Sequence, residues 1–551
     1  MRLTGLSLTA ARRLAETPAG ALILRKKVFA DYGIDRLLEL PPTSRAPLDI
    51  HPGPREQTRR RGWRGADLDA PQPSSARSTA AQLRKAYLDG TTSPVEVLAE
   101  IRRRVERQDF GNATFSPFYH LDFDRAEEAA KASADRYSKG QPLGPLDGIP
   151  VPIKDQHLME GLPISGGSAC LNEMAAEDAH AIEVLRAAGA LLYAKTHTTE
   201  WGMNPCGACG HMSLPRNVYS ANHGAGGSST GAGVAVGLGL APVGTGSDGG
   251  GSIRIPAAMN GVFGIKPTYV RIGRSGDIYG SSSVSTVGPL GASTEDLVDL
   301  LSISATVDDP NDPTRRWAPA QRDLDKRWRR ALGRGVEGAK IGIPSAEWDD
   351  LDAPLQQPSL DALKQLEADG AQLVEIDEPL LGHAPAVGVL SIGLETLANV
   401  ADLFDQAGEH FSDELRMMLA LLDTVDAGEF LAAQRTRAAL KIATRDLLDD
   451  VDLIALPTTQ TTAFDYPLAL DGIGIADDEA VRTMTRFNFL ANITALPAGS
   501  VPVGLHGGLP FGLQFIGGAW DEASVLAVMA HAERQGWTAL EAPRSCTSLL
   551  R

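Results

Sequence analysis

A glycine-rich segment in the middle of the chain is the feature that most constrains its fold. Residues 224–267 read GAGGSSTGAGVAVGLGLAPVGTGSDGGGSIRIPAAMNGVFGIKP, and two serines, Ser228 and Ser252, lie 24 positions apart within it. Three glycines directly precede Ser252. Because glycine has no Cβ, the backbone N–H groups of residues 249–252 can converge on one point. The segment therefore predicts a cradle of amide groups for a negatively charged atom.

A cradle of this kind serves either of two chemistries, phosphate binding or stabilisation of the oxyanion in acyl transfer. The chain has no GxxxxGK[ST] motif and no GxGxxG motif in a clear βαβ setting, so a nucleotide site is disfavoured. In acyl transfer, one such donor contributes roughly 3 kcal/mol of transition-state stabilisation. The segment thus favours acyl transfer with a serine as the nucleophile.

A serine nucleophile needs a base, and the chain offers a lysine for this role. No GxSxG elbow with an ordered Asp and His is apparent, which disfavours the α/β-hydrolase pattern. Lys154 follows a short apolar run in GPLDGIPVPIKDQ at 144–156, and burial lowers the pKa of a lysine so that the neutral amine is populated. A single lysine near glycines is more often a surface or structural residue. It is the combination with Ser252 that favours a lysine base.

Composition and charge exclude several classes of protein. The net charge of −17 over 551 residues argues against nucleic-acid binding. Residues 1–75 differ from the remainder, with 13 Lys/Arg against 8 Asp/Glu and a net charge of +5. Their basic run at 58–65 could contact a membrane or an acidic surface, but a solvated arm is the simpler hypothesis. Four cysteines predict no disulfide framework and a cytoplasmic location, and without a signal peptide or a long uncharged apolar stretch no stable membrane insertion is expected.

The order of the predicted elements indicates an α/β fold. Helical patterns alternate with short apolar strands, as in 181–196, where a helix, a Gly turn and a buried strand follow one another. Two helices are predicted from residue 78, the second with Ser93 as its N-cap and Pro94 in its first turn. Pro- and Ser-rich stretches precede this clean start. The pattern predicts an N-terminal extension over 1–77 and a catalytic domain over 78–545.

The glycine-rich segment resembles the amidase signature sequence, which defines the amidohydrolases with a Ser-cisSer-Lys triad. GPLDGIPVPIKD is similar to the lysine motif of that family, and STVGPLGASTEDLVDLLSISA and FNFLANITALPAGSVPVGLHGGLPFGLQFIGG are similar to its later segments. The resemblance covers roughly 78–540 and is loosest over 305–450, a variable region expected to shape the substrate tunnel. It implies the amidase signature fold of bacterial amidases and aryl acylamidases, a mixed twisted β-sheet core flanked by α-helices.

Carried over residue by residue, the resemblance assigns Ser252 as the nucleophile, Ser228 as the bridging serine after a cis peptide bond, and Lys154 as the base. It assigns the oxyanion hole to four backbone N–H groups, those of Gly249, Gly250, Gly251 and Ser252. Three further residues are expected to support the triad: Ser229, Asp248 and Arg254. Gly249 departs from the family, which often has Thr or Ile there, and the extra glycine should loosen the loop unless its neighbours hold it. The implied chemistry requires no metal and no cofactor.

The segment between the lysine and the first serine supplies candidates for the wall of the acyl site: Met203, Cys206 and Cys209. The two cysteines and His211 resemble a metal or haem-attachment spacing, but the histidine is one position too late for CxxCH and no second CxxC exists. Pocket wall or core is therefore favoured. In the amphipathic helical stretch 390–448, three large apolar residues are expected to form helix core rather than ligand contacts: Met417, Met418 and Phe430.

Three functions are compatible with these patterns. The first is a freestanding hydrolase of linear carboxamides or anilides, which could also cleave esters and carbamates. The second is an amidotransferase subunit that releases ammonia from glutamine for tRNA-dependent amidation, although apolar surroundings such as PAGSVPVGL disfavour it. The third is a silent binding protein on the same fold, against which the filled triad positions argue. The expected partner is a small-molecule amide; the sequence leaves the substrate and a homo-oligomeric state open.

Overall fold

The computed structural model describes residues 2–40, 46–49, 51–55, 62–69, 71, 77–107, 116–319, 322–537, 540–543 and 546–550. Within these ranges the strands are β1 Arg2–Thr4, β2 Phe118–Leu121, β3 Ile153–Lys154, β4 Pro163–Ile164, β5 Glu173–Met174, β6 Ala194–Thr196, β7 Arg216–Asn217, β8 Ser220–Gly224, β9 Val243–Asp248, β10 Phe263–Lys266, β11 Thr286–Gly291, β12 Lys340–Pro344, β13 Gln372–Ile376, β14 Leu453–Pro457, β15 Ile475–Asp477, β16 Ala498–His506 and β17 Leu509–Gly517. The α-helices are α1 Gly5–Ala15, α2 Pro18–Asp31, α3 Ile34–Glu39, α4 Ala80–Leu88, α5 Pro94–Glu106, α6 Phe123–Ser138, α7 His180–Ala187, α8 Thr230–Gly237, α9 Arg254–Met259, α10 Thr294–Thr306, α11 Leu324–Leu332, α12 Ser345–Trp348, α13 Ala353–Ala368, α14 Ala384–Ala407, α15 Asp413–Leu422, α16 Ala427–Asp450, α17 Asp478–Thr485, α18 Phe489–Ile493 and α19 Glu522–Arg534.

An eight-stranded mixed sheet forms the centre of the molecule. Its strand order is β13-β12-β14-β17-β16-β10-β11-β9. Strand β12 runs parallel to β13 and β14, whereas the remaining neighbours are antiparallel. The predicted α/β fold with a mixed sheet flanked by helices is confirmed.

The apolar side chains of β14 alternate between the two faces of this sheet. Leu453 and Ala455 pack in the cluster that contains residues of α10, α11 and α19, whereas Ile454 and Leu456 pack in the cluster that contains residues of α14 and α16. A strand that is covered on both faces is apolar at every position. This is why the continuous apolar run of β14 predicts a buried strand.

A smaller three-stranded sheet, β2-β6-β3, carries the lysine motif. Strand β3 is parallel to β6, and Lys154 lies opposite Thr196. Strand β3 also contacts β9, the edge strand of the large sheet, and the backbone N–H of Lys154 donates to Thr245 Oγ1 at 2.9 Å. The two sheets thereby bring Lys154 next to the strand that leads into the glycine run.

The N-terminal segment packs onto the rest of the molecule. Strand β1 pairs antiparallel with β15, and Leu8 of α1 packs against Met417 of α15. Trp63 is 7% exposed and its Nε1–H donates to the carbonyl of Gly335 at 2.6 Å. The hypothesis of a solvated arm is therefore wrong at Trp63, while residues 58–61 of the basic run lie outside the described residues. The domain boundary at residue 78 stays a prediction.

One helical stretch among the described residues, Pro379–His410, is long and apolar enough to cross a membrane. Core helices of water-soluble proteins meet the same criterion, so this is weak evidence for a membrane span. Helix α14, which makes up most of the stretch, packs against α16 and α18.

Candidate active site

Three residues from separate elements meet beside the edge strand β9. Lys154 ends β3, Ser228 precedes α8, and Ser252 lies in the loop between β9 and α9. Lys154 Nζ is 2.8 Å from Ser228 Oγ, and the Gly227–Ser228 peptide bond is cis, as the resemblance implies. The N–H of Ser229 donates to the carbonyl of Ser252 at 3.1 Å, which ties the two serine segments together. The predicted triad residues are therefore brought to one place.

The environment of Lys154 favours a neutral amine. Its side chain is fully buried, and this burial lowers the pKa of Lys154 to about 7, although the negative charges of Asp248 and Asp277 act in the opposite direction. Burial disfavours the ammonium because its charge loses contact with water. Near neutral pH a large fraction of Lys154 can therefore accept a proton.

Ser247 and Gln156 orient the amine of Lys154. Lys154 Nζ lies 2.9 Å from Ser247 Oγ and 3.4 Å from the carbonyl oxygen of Ser247, and Ser247 Oγ donates to Gln156 Oε1 at 2.6 Å. Because the hydroxyl proton of Ser247 points to Gln156, its oxygen is free to accept from Nζ. With both N–H bonds of the neutral amine directed to Ser247, the nitrogen lone pair faces Ser228 Oγ.

Neither Ser247 nor Gln156 is among the residues predicted from the sequence, although each lies inside a quoted motif. Ser247 is part of GSDGGGS and Gln156 follows Lys154 by two positions in IKDQ. Two features of the sequence point to them. Ser247 is a hydroxyl residue directly before Asp248, and Gln156 places an amide side chain two positions after Lys154.

The amide cradle has three free donors rather than four. The N–H of Gly251 donates to Asp248 Oδ1 at 2.8 Å, so it cannot also serve a ligand, and the expectation for Gly251 is corrected. Within the described part of the chain, the N–H groups of Gly249, Gly250 and Ser252 have no intramolecular acceptor. They remain as donors for an oxyanion next to Ser252.

The glycine at position 249 does not leave the loop loose. A Cβ at Gly249 would lie 2.9 Å from Ser285 Oγ and 3.0 Å from Ile392 Cδ1, and one at Gly250 would lie 2.5 Å from Phe489 Cε1. These distances are shorter than ordinary contacts, so the neighbouring side chains already fill the space around the backbone. Ser285, Ile392 and Phe489 therefore hold the loop in place despite the extra glycine.

A buried ion pair braces the loop from behind. Arg254 Nη2 and Nε lie 3.0 Å from the two carboxylate oxygens of Asp248, and neither side chain is exposed. Asp248 also accepts hydrogen bonds from the N–H groups of Gly251 and Ile253 and from Asn492 Nδ2. Burial alone would raise the pKa of Asp248, but the Arg254 guanidinium more than offsets this and holds the pKa well below its usual range. The carboxylate therefore stays charged and fixes the turn.

Ser229 connects the cis-peptide segment with β9. Its Oγ lies 3.3 Å from both the carbonyl oxygen and the N–H of Ser247, so the hydroxyl donates to one and accepts from the other. The backbone N–H of Ser229 also donates to the carbonyl of Ser252, so Ser229 links Ser247, which contacts Lys154, with the predicted nucleophile Ser252. The predicted supporting residues thus all contact the triad segments.

Ser252 lines two cavities of different character. The larger one encloses about 160 Å³ and is mostly apolar, with walls from α2, α14 and α15. The smaller one encloses about 20 Å³ and is mostly polar. Its polar lining residues are Gln156, Ser228, Ser247, Tyr279, Ser281 and Ser285.

The pocket residues expected from the sequence are divided between wall and core. Met203 lines both cavities, whereas Cys206 and Cys209 are 2% and 1% exposed and lie behind the wall, Cys206 packing against Ile255 and Met259. The expectation for the three apolar residues of 390–448 is incomplete, because Met417 and Met418 line the larger cavity while Met417 also packs in a core cluster. Phe430 is half-buried and is not among the lining residues. No group of three or more His, Cys, Asp or Glu residues in the described ranges is arranged to hold a metal ion.

Comparisons with known proteins agree on one family. The family model described as Amidase matches residues 99–526. The chain is 33% identical to a fatty acid amide hydrolase of Medicago truncatula over 429 residues, which cover 75% of this chain and 69% of that protein. It is 32% identical over 479 residues to a glutamyl-tRNA(Gln) amidotransferase subunit of Halorhodospira halophila (strain DSM 244 / SL1), with coverage of 82% and 95%.

A solved structure adds the fold-level comparison. A crystal structure described as that of an amidase superposes with a TM-score of 0.71 at 28% identity, covering 83% of this chain and all of that chain. The family model spans well over half of the sequence, and the sequence relatives and the solved structure agree with it. The chain belongs to the amidase family and is an amidase-signature enzyme that hydrolyses C–N bonds in amides.

Proposed function

We propose that this enzyme is a freestanding hydrolase of linear carboxamides and anilides with an apolar acyl group, acting through an acyl-enzyme on Ser252. The carrying observation is that Ser252 lines both a large apolar cavity and a small polar one. The larger cavity suits the acyl chain. The smaller one suits ammonia or the water that follows it, which favours primary amides as the best substrates.

In the first half of the reaction, Ser252 Oγ attacks the amide carbon and forms the new C–O bond. Its proton passes to Ser228, whose own proton passes to the neutral amine of Lys154 2.8 Å away. The oxyanion is stabilised by the N–H groups of Gly249, Gly250 and Ser252, which are positioned before the charge develops. The amide C–N bond then breaks as the relay returns the proton to the leaving nitrogen.

In the second half, water enters the place of the leaving group and attacks the ester. The same relay takes a proton from the water, the tetrahedral intermediate forms again, and its collapse releases the carboxylate and restores Ser252. Esters and carbamates present the same acyl carbon, so we include them among the substrates. A cytoplasmic location stays a prediction.

The second candidate function is that of a glutamine amidotransferase subunit. The similarity to the glutamyl-tRNA(Gln) amidotransferase subunit over 82% of the chain favours it. Glutamine carries an α-carboxylate, however, and the charged residues that line the larger cavity in the described part of the chain are Glu200, Glu414, Asp477 and Asp478, with no Lys or Arg. A carboxylate in such a cavity would be repelled, which favours the hydrolase.

The test is a comparison of substrates with the purified chain alone. Release of ammonia or amine is measured from octanamide, benzamide, acetanilide, a phenyl carbamate and glutamine. We expect hydrolysis of octanamide to exceed that of glutamine by about a hundredfold or more in kcat/KM, because a mismatched charge in an apolar site costs several kcal/mol.

The control is Ser252→Ala, which should lower kcat by about 10⁴-fold or more while the circular dichroism spectrum stays that of the wild type. Glutaminase activity that appears only after partner subunits and tRNA are added would establish the second candidate instead. Residual hydrolysis near the wild-type rate in Ser252→Ala would remove Ser252 from the mechanism.

A further inference from the structure

A carboxyl group that the proposed mechanism does not use lies in the wall of the larger cavity. Glu414 is in the first turn of α15 and is a lining residue of the same cavity as Ser252. Both of its carboxylate oxygens are buried, and neither makes a hydrogen bond of normal geometry within the described residues. Buried carboxyl groups nearly always have partners. Glu414 is therefore a candidate to accept a hydrogen bond from a ligand in this cavity.

The backbone is shaped to leave room for this carboxyl group. A Cβ at Gly210 would lie 2.9 Å from Glu414 Oε2, and one at Gly474, where φ is +81°, would lie 2.7 Å from it. The backbone N–H groups of Gly210 and of Glu414 itself are near enough to favour the charged form. Gly210 and Gly474, from separate segments, thus leave space for the carboxyl group of Glu414, but neither carboxylate oxygen accepts a well-aligned hydrogen bond there.

The surroundings of Glu414 are acidic. Glu200, which lines the same cavity, accepts hydrogen bonds from Ser168 Oγ at 2.5 Å and from the N–H of Ser412 at 3.0 Å, so its own oxygens are occupied. Burial raises the pKa of Glu414 to about 7, and the charges of Glu200 and Asp413 add to this. A positively charged group would remove the energetic cost of ionising Glu414 in this place.

We propose that Glu414 forms a second polar subsite in the acyl cavity, which binds an ammonium group carried by the acyl chain of the substrate. The proposal rests on the proposed function, since it names the class of amide that the Ser252 site receives: ω-amino acyl amides, apolar along the chain and cationic at the end. An ammonium supplies three hydrogen-bond donors to a carboxylate that otherwise has only two poorly aligned backbone N–H groups nearby. An anionic chain end would meet Glu200 and Glu414 and is excluded.

The experiment compares pairs of substrates that differ only at the chain end. ω-Aminoalkanamides with four to ten carbons are each measured against the neutral alkanamide in which a methyl group replaces the ammonium. For the chain length that reaches Glu414, we expect the wild-type kcat/KM to be about tenfold or more higher for the ω-amino amide, because a hydrogen bond to a charged group is involved. In Glu414→Gln this ratio should fall to near one.

A matched control tests whether the effect is local. Glu409 lies in the 3-10 turn before α15 and its side chain is 75% exposed, so Glu409→Gln removes a nearby charge outside the cavity. We expect both kcat/KM values to stay within about twofold of the wild type, since exposed charges are screened. A ratio near one at every chain length in the wild type, or a ratio unchanged in Glu414→Gln, would overturn the subsite.

Binding to Ser252→Ala separates this proposal from the proposed function and does not depend on the folding of Glu414→Gln. Calorimetric titration with the same pairs should show the ω-amino amide binding about tenfold more tightly. That preference without turnover in the wild type would support the subsite and contradict the hydrolase. Turnover of neutral alkanamides with no preference in rate or in binding would contradict the subsite and support the hydrolase.

Discussion

The protonation state of one amine, that of Lys154, governs the proposed chemistry. Burial lowers the pKa of Lys154 to about 7, so the neutral amine becomes the main form as the pH rises through 7. Since only the neutral form accepts the proton, kcat/KM for octanamide should rise about tenfold between pH 6 and pH 8 and level off above it. A profile that is flat or falls from pH 6 to pH 9 would contradict the role of Lys154 as base.

A second buried lysine provides the control for this profile. Burial also lowers the pKa of Lys266 to about 7, but its Nζ donates to the carbonyl of Pro267 and the residue lies outside both cavities. Lys266→Met should therefore leave the inflection of the pH profile where it is in the wild type. If the inflection disappears in Lys266→Met, the titration belongs to Lys266 and not to Lys154.

The hydroxyl of Ser247 is a positioning group, and its loss should act through Lys154. In Ser247→Ala the amine loses its acceptor at 2.9 Å and Gln156 loses its donor. We expect kcat to fall about 10- to 100-fold with little change in KM, since the interaction orients the base and does not bind substrate. Steady-state kinetics over the pH range should also show a shifted inflection, which a purely structural role would not produce. An effect confined to KM would contradict the orientation of the amine.

At the scale of elements, the turn between β9 and α9 depends on the buried pair of Asp248 and Arg254. Arg254→Met leaves Asp248 without its cation while the carboxylate stays buried, and we expect the free energy of unfolding to drop by about 3–5 kcal/mol. Urea denaturation at pH 7.5 measures this. Adding Asp248→Asn removes the stranded charge, so the double variant should be more stable than Arg254→Met alone. A double variant that is less stable would show that the pair contributes beyond compensating its own charges.

The same pair predicts how this stability depends on pH. The pKa of Asp248 is lower in the folded state than in the unfolded state, so the unfolded chain binds the proton more readily. The stabilisation is complete above the ordinary Asp range and is lost as the pH falls through the lowered pKa. Arg254→Met should reduce the difference in stability between pH 7 and pH 3, which denaturation at the two pH values measures.

Local sequence carries the elements that present the site, but not the contacts between them. The N-cap at Ser93 and the burial of Lys154 after its apolar run follow from neighbouring residues, and the structure has both. The commitment of Gly251 to Asp248 depends on side-chain direction, which glycine content alone does not give. The orientation of Lys154 by Ser247 joins positions 93 residues apart, so spacing along the chain could not predict it.

At the scale of the whole molecule, distant segments build one cavity. Four residues from the end of α2 to the start of α3 line it together with α14 and α15: Val28, Phe29, Tyr32 and Ile34. The sequence, by contrast, predicts a separate extension over 1–77. The net positive charge of residues 1–75 and the Pro-rich stretches before residue 78 favour separation. Apolar residues of α2 instead pack against α15. Val28, for example, lies in one apolar cluster with Met417 and Leu421, which are nearly 400 positions further along the chain.

Phe29 is the residue that tests this joint cavity. It is 4% exposed and lines the cavity, so Phe29→Ala should enlarge the cavity and lower the free energy of unfolding by about 3 kcal/mol. Because a long acyl chain loses contacts that a short one never makes, kcat/KM should fall about tenfold for octanamide and little for propionamide. Leu22→Ala on the same helix, at a side chain that is 59% exposed, should change neither stability nor the ratio of the two substrates. Equal losses for both amides in Phe29→Ala would mean that the acyl chain lies elsewhere, because the two substrates differ only in the length of chain that the N-terminal helices contact.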